Sequence, residues 1–125
     1  MTFCYKNNYP YSLTKPYETQ TGLHLGSNYS VGEYVILQKN GIITIANGYS
    51  WDGATGGIDT ATFMEPSLVH DALCQLIYSN KLGNGAQAKA DKLLHEMCID
   101  NGMSKIRAAW VYWTVRAHSR LRFKQ

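Results

Sequence analysis

Pro66-Ser67-Leu68-Val69-His70-Asp71-Ala72-Leu73-Cys74 is the stretch on which the fold turns. At about 100° per residue, Leu68, Val69, Ala72, Leu73, Leu76 and Ile77 share one broad apolar face, the pattern of a helix laid against a core. Pro66 suits the opening helical position, where a missing N–H costs nothing. Asn80 and Gly83 fit the helix end, so the pattern predicts a helix from Pro66 to about Tyr78. His70 falls at the border of the apolar face, one turn before Cys74, and Asp71 points well away from it.

Downstream, Asn84 three residues before Gln87 is a capping-box-like pair. It opens a second helix that closes near Asn101-Gly102. Ser104 then caps a third, which carries Ile106, Trp110, Trp113 and Ala117 on one face and continues to about Leu121. The short glycine-containing link between the first two helices predicts an antiparallel pair. Upstream, the β-branched runs of residues 34–46 flank Asn40-Gly41, a pair that tolerates positive φ at both central positions of a tight turn. Residues 48–57 form a glycine-rich loop, Gly48-Tyr49-Ser50-Trp51-Asp52-Gly53-Ala54-Thr55-Gly56-Gly57. It matches neither a P-loop nor a dinucleotide fingerprint. Residues 1–33, with Tyr5, Tyr9, Tyr11, Tyr17 and Tyr29 among glycines and prolines, show no helical period. They predict an irregular arm with short strands near Tyr17–Thr21 and His24–Leu25. The expected fold class is α+β: an N-terminal arm and β-hairpin packed on a bundle of three α-helices.

At 125 residues, 45% of them hydrophobic, the chain can bury one modest core, so a single domain is expected. The cysteines Cys4, Cys74 and Cys98 lack C-x-x-C spacing, which fits reduced thiols better than a disulfide framework or a zinc site. No apolar run approaches the roughly 20 residues of a membrane span. Met1-Thr2-Phe3-Cys4-Tyr5 lacks the pattern of a signal peptide, giving the expectation of a protein that stays in the cytoplasm where it is made. Seven of the nine acids lie between Asp52 and Asp100, whereas the stretch from Lys105 to Lys124 has only basic charges. Aromatic and basic residues do not alternate there as on a single-strand platform, which argues against a nucleic-acid partner.

The chemistry starts from His70, whose border position suits a general base. Asp91 lies about two turns into the second helix on a face shared with Ala88, Leu94, His95 and Cys98, where a carboxylate needs a partner. His70 across the helix pair is one such partner; His95, one turn on, is the local alternative; Tyr112 could donate its hydroxyl to the same carboxylate. Asp71 could join Asp52 and backbone carbonyls such as that of Gly53 in an all-oxygen site for calcium or another divalent cation, or it could simply pin the loop. Cys74, at i+4 from His70, is either a nucleophile activated by it or core filler.

The stretches Gly48–Thr55, Val69–Leu73, Ala90–Asp91 and Tyr112–Arg116 resemble, in order, a phage and prophage family known as domain of unknown function 1353. That family shows a G-[FY]-x-x-D-x-A-[ST] loop, an HD-x-L helix, an A-D helix and a terminal Y-x-x-V-R helix. The resemblance covers roughly the last two thirds of the chain and implies viral origin without a settled activity. The His-Asp site is also distantly similar to that of secreted phospholipase A2. This likeness implies His70 as the base that activates water, Asp91 as its orienter with Tyr112 in support, and Asp71 as a calcium ligand beside loop carbonyls around Trp51 to Gly53. The chain departs from that pattern in lacking its loop cysteines and disulfide framework. Two functions are therefore expected as alternatives. One is a phage hydrolase of phospholipase or esterase type acting on a phospholipid or other ester. The other is a non-enzymatic phage protein that binds a host or virion protein, with the same residues as a structural polar network.

Overall fold

The computed structural model describes residues 5–6, 11–51, 61–80, 82 and 84–122. Among these the fold is α+β, with two small antiparallel sheets and three helices. One sheet has the order β1 (Tyr5–Lys6), β2 (Tyr11–Leu13), β7 (Ser50–Trp51). The other has the order β3 (Tyr17–Gln20), β6 (Ile42–Ile45), β5 (Val35–Leu37), β4 (Tyr29–Val31). The helices are α1 (Ala61–Asn80), α2 (Asn84–Asp100) and α3 (Lys105–Arg122). None of them is long and apolar enough to cross a membrane.

The expected hairpin is β5–β6, with Val35 opposite Ile45 and Leu37 opposite Ile43. These four side chains are buried, while Ile36 between them is half exposed. That period-2 alternation gives the sheet one core face. The turn differs from expectation. Gly41 N–H donates to Gln38 O and Gln38 N–H to Ile42 O, so Lys39 and Asn40 are the central residues and Gly41 follows them at φ +96°. This is the three-residue loop, a tight turn plus a left-handed glycine, rather than a two-residue turn centred on Asn40-Gly41. A Cβ on Gly41 would lie 2.3 Å from Gln20 Oε1 and 2.5 Å from Leu23 O, so the chain at 20–23 occupies the space beside it.

The arm is more ordered than expected. Four strands lie within it, including β3 where a strand was placed near Tyr17–Thr21. His24–Leu25 form none; Leu25 N–H makes a lone bond to Lys39 O at 3.0 Å. Tyr17 is only 2% exposed and donates its hydroxyl to Glu65 on α1, which ties the arm to the helices. Burial and the neighbouring carboxylate both push the Tyr17 phenol well above its ordinary range.

α1 begins at Ala61, more than a turn before the expected start, and Pro66 sits inside it. Phe63 and Met64 explain the extension, because both are buried and each burial stabilises by about 1.5–3 kcal/mol. Together they offset the roughly 3 kcal/mol that an interior proline costs a helix. α2 ends as a glycine-stopped helix should. Gly102, at φ +98°, donates to Ile99 O and Met103 N–H reaches back to Cys98 O, satisfying the last carbonyls. Ser104 caps α3 as expected, its Oγ accepting from Arg107 N–H at 3.2 Å.

Two apolar clusters hold these parts together. The larger joins the sheets to the inner face of α1, through Leu68, Leu73, Leu76 and Ile77. The smaller joins Phe63 of α1 to Leu94 and Cys98 of α2 and Ala108 of α3.

Candidate functional site

The polar centre of the protein lies where the helices face one another. His70 Nε2 donates to Asp91 Oδ1 at 2.6 Å, and Gln87 Nε2 donates to Cys74 Sγ at 3.4 Å. A step of four forward along α1 is thus matched by a step of four back along α2, the register of an antiparallel pair. The same holds between α2 and α3. Arg116 Nη1 donates to Asp91 Oδ2 at 2.8 Å, and one turn away His95 meets Tyr112 ring to ring, 5.4 Å between centroids.

Asp91 is fully buried, with no side-chain exposure, while His70 retains 14% and Arg116 18%. Its carboxylate accepts from His70, Gln87 and Arg116, which is how an inward carboxylate halfway along a helix avoids the cost of an unpaired buried charge. Burial is the largest influence on His70 and pulls its proton affinity down. The hydrogen bond to Asp91, then the contact with Cys74, then the charges of both outweigh it and push the group up to about 10. At neutral pH His70 is therefore an imidazolium, donating through Nε2 to the carboxylate that orients it.

Cys74 is the remaining member. Its Sγ lies 3.7 Å from His70 Nδ1 and 3.8 Å from Nε2, alongside the ring and nearly equidistant from its nitrogens. Of the polar cluster, Cys74 is the member that reaches a pocket of about 440 Å³, lined by Val31, Cys74, Gln75, Tyr78 and Ser79. Cys98 contrasts with it: buried in the smaller apolar cluster, its thiol is pushed up to about 12, mainly by desolvation.

The structure thus brings together His70 and Asp91 but gives Tyr112 another place. The position expected for Tyr112 is filled by Arg116, one helical turn further on, because the phenol ring packs edge-on between His95 and Trp113. Asp71 is half-buried on α1 and has interactions of its own. Asp52 and Gly53, with the rest of the glycine loop beyond Trp51, lie outside the described residues. Among those described, no three His, Cys, Asp or Glu side chains are grouped so as to hold a metal ion. Asp71 alone supplies at most two of the six to eight oxygens that calcium takes, so the described residues do not by themselves compose the expected cation site. The described start of the loop does touch the helix, since Trp51 Nε1 donates to Ser67 Oγ at 3.0 Å.

Sequence reasoning missed Arg116 and Gln87 as members of the cluster. Gln87 was assigned to a capping box, yet it is 2% exposed and its amide points to Cys74 and Asp91. Arg116 ends the Tyr112–Arg116 stretch, and a cation opposite an inward carboxylate was the signal available.

Comparison with family models, with curated proteins and with solved structures finds no match for this chain. The resemblances drawn above therefore rest on their short stretches alone.

Proposed function

We propose that this chain, phage-encoded on the resemblance of its motifs, is a small hydrolase of esters in which Cys74 is the nucleophile and His70 and Asp91 serve it. The observation that carries the reading is the placement of Cys74 Sγ, 3.7 Å from an imidazole whose other nitrogen is fixed on Asp91, at the wall of a pocket. A nucleophile beside a base that a third group orients is the general layout for covalent catalysis, and contacts looser than a hydrogen bond are usual before substrate arrives. The pocket is wide open to solvent, and Val31 and Tyr78 give it apolar wall for an acyl group.

In this scheme Cys74, in the thiolate form that is the nucleophile of any thiol, attacks the ester carbonyl carbon beside His70. The C–O bond breaks, the departing alkoxide takes its proton from His70, and an acyl thioester remains. Water then attacks the thioester and returns a proton to His70, releasing the acid and restoring the thiolate. Direct attack by a water that His70 activates, with no acyl intermediate, is the variant of this scheme that Cys74→Ala separates from it. Phospholipid and simpler esters are the substrates to try first.

The test is release of fatty acid or alcohol from phospholipid vesicles and soluble esters, with calcium and with chelator, by wild type, Cys74→Ala and His70→Ala. Turnover that both substitutions abolish, in proteins that still melt cooperatively, supports the reading. Turnover that survives Cys74→Ala but not His70→Ala returns the role of nucleophile to water. Dependence on calcium would place the Asp71, Asp52 and Gly53 oxygens in the reaction.

A second reading has its own observation. Asp91 is bonded from all three helices, and such a network can serve folding with no substrate at all. A phage protein that binds a host or virion partner would then show no turnover, and His70→Ala would chiefly destabilise it.

A further inference from the structure

α3 carries its bulkiest apolar residues on the outside. Ile106, Trp110 and Trp113 are 82%, 75% and 63% exposed, and with exposed Ala117 their spacing of four, three and four puts them in one line along the helix. The side of α3 that packs on α2 is made instead of Ala108, Val111 and Val115. Trp113 is held in place: its ring lies edge-on to Tyr112 at 5.2 Å, and Tyr112 lies edge-on to His95 at 5.4 Å. The same helix carries Lys105, Arg107, Arg116, Arg120 and Arg122 and no acid. Even with Arg116 engaged by Asp91 it remains strongly positive.

We infer that this ridge is a docking surface for an anionic lipid bilayer, entered by Trp110, Trp113 and Ile106 and held by the basic charge of α3. The ridge is convex, a single line of side chains standing off one helix. A protein partner would need a matching groove, whereas acyl chains and headgroups deform around a ridge. Indoles favour the boundary between headgroups and hydrocarbon, and a helix with apolar and basic sides lies in that plane, bound by apolar burial and attraction to anionic lipid. A second copy fits poorly. Pairing two such faces through a two-fold axis would bring two basic helices together with no acid on either α3 to offset them. The inference is independent of the proposed catalysis, since it concerns binding and not turnover.

The probe is co-sedimentation with vesicles of phosphatidylcholine alone and of equal parts phosphatidylcholine and phosphatidylglycerol, together with tryptophan emission. Trp51 is only 3% exposed, so a lipid-induced blue shift reports the two outer indoles. Wild type should bind the anionic vesicles with a blue shift, bind the neutral ones much less, and release at high salt. Trp110→Ser/Trp113→Ser should bind roughly tenfold or more weakly while keeping the circular dichroism and melting of the wild type. No sedimentation with anionic vesicles, equal binding by the double variant, or equal binding to both vesicles would overturn the inference. So would a lipid-free dimer that the double variant dissolves, which would give the face to a second copy of the chain.

Discussion

A single carboxylate decides how much of the interior holds together. Asp91 is buried, and His70, Gln87 and Arg116 all aim donors at it. Removing it leaves an imidazolium and a guanidinium facing one another. Asp91→Ala should therefore destabilise by about 3–5 kcal/mol in urea unfolding, the cost of breaking a buried ion pair from one side. His70 makes a separate prediction about pH. Its proton affinity is raised in the folded state from 6.5 to about 10, so its stabilisation is fully present below pH 6.5. Between these values the folded protein keeps a proton that the unfolded chain has lost, so stability declines as pH rises through that window. His70→Gln should flatten this part of the stability curve. Asp91 and His70 were legible as a pair because an aspartate in a helix interior, on an apolar face, demands a partner. Gln87 was not, because its spacing from Asn84 also satisfies a capping pattern and only burial distinguishes the two.

For the secondary-structure elements, the hairpin and the three helices were readable from period and punctuation, while their edges were not. The runs around Asn40-Gly41 specify a turn, but which residues are central depends on the neighbouring chain at 20–23, which no local pattern contains. Gly41→Ala would place a Cβ against Leu23 O in a left-handed backbone. The left-handed conformation alone costs about 1–2 kcal/mol, and the carbonyl contact adds to it. A lower urea midpoint with unchanged slope is the expected result. The start of α1 was misread because Pro66 is a good first residue, and the pull of Phe63 depends on a cluster with α2 and α3, that of Met64 on the cluster with the sheets. The arm strands are only two to four residues long, too short for alternation to declare itself.

Across the whole molecule, the hardest thing to read was which way α3 faces. Its apolar stripe marks one face of the helix without saying which way that face turns, and the structure turns Trp110 and Trp113 outward. Arg116 supplies the reason. It lies away from the stripe on the helix, and rotating α3 to bury the indoles would take the guanidinium from Asp91. The small side chains Ala108, Val111 and Val115 then let α3 approach α2 closely enough to cover Cys98. Because α3 shares only the smaller apolar cluster, it should be the part that opens first. Arg116→Ala should accordingly raise the rate of Cys98 alkylation by iodoacetamide, followed by peptide mass, more than it lowers the melting temperature. In wild type Cys74 should be labelled and Cys98 spared until unfolding, as partial exposure and burial of the two thiols require.

The matched steps of four that join His70 to Asp91, Cys74 to Gln87, and Asp91 to Arg116 set what lengths of chain the helices can gain or lose. One extra residue between Gln87 and Asp91 would swing the carboxylate by about 100° and part it from His70 and Arg116 together. Residues added in the connection at 81–83 would leave every one of these meetings intact. Insertions and deletions among descendants of this sequence should therefore collect between the helices and avoid the turns from 70 to 74, 87 to 95 and 112 to 116.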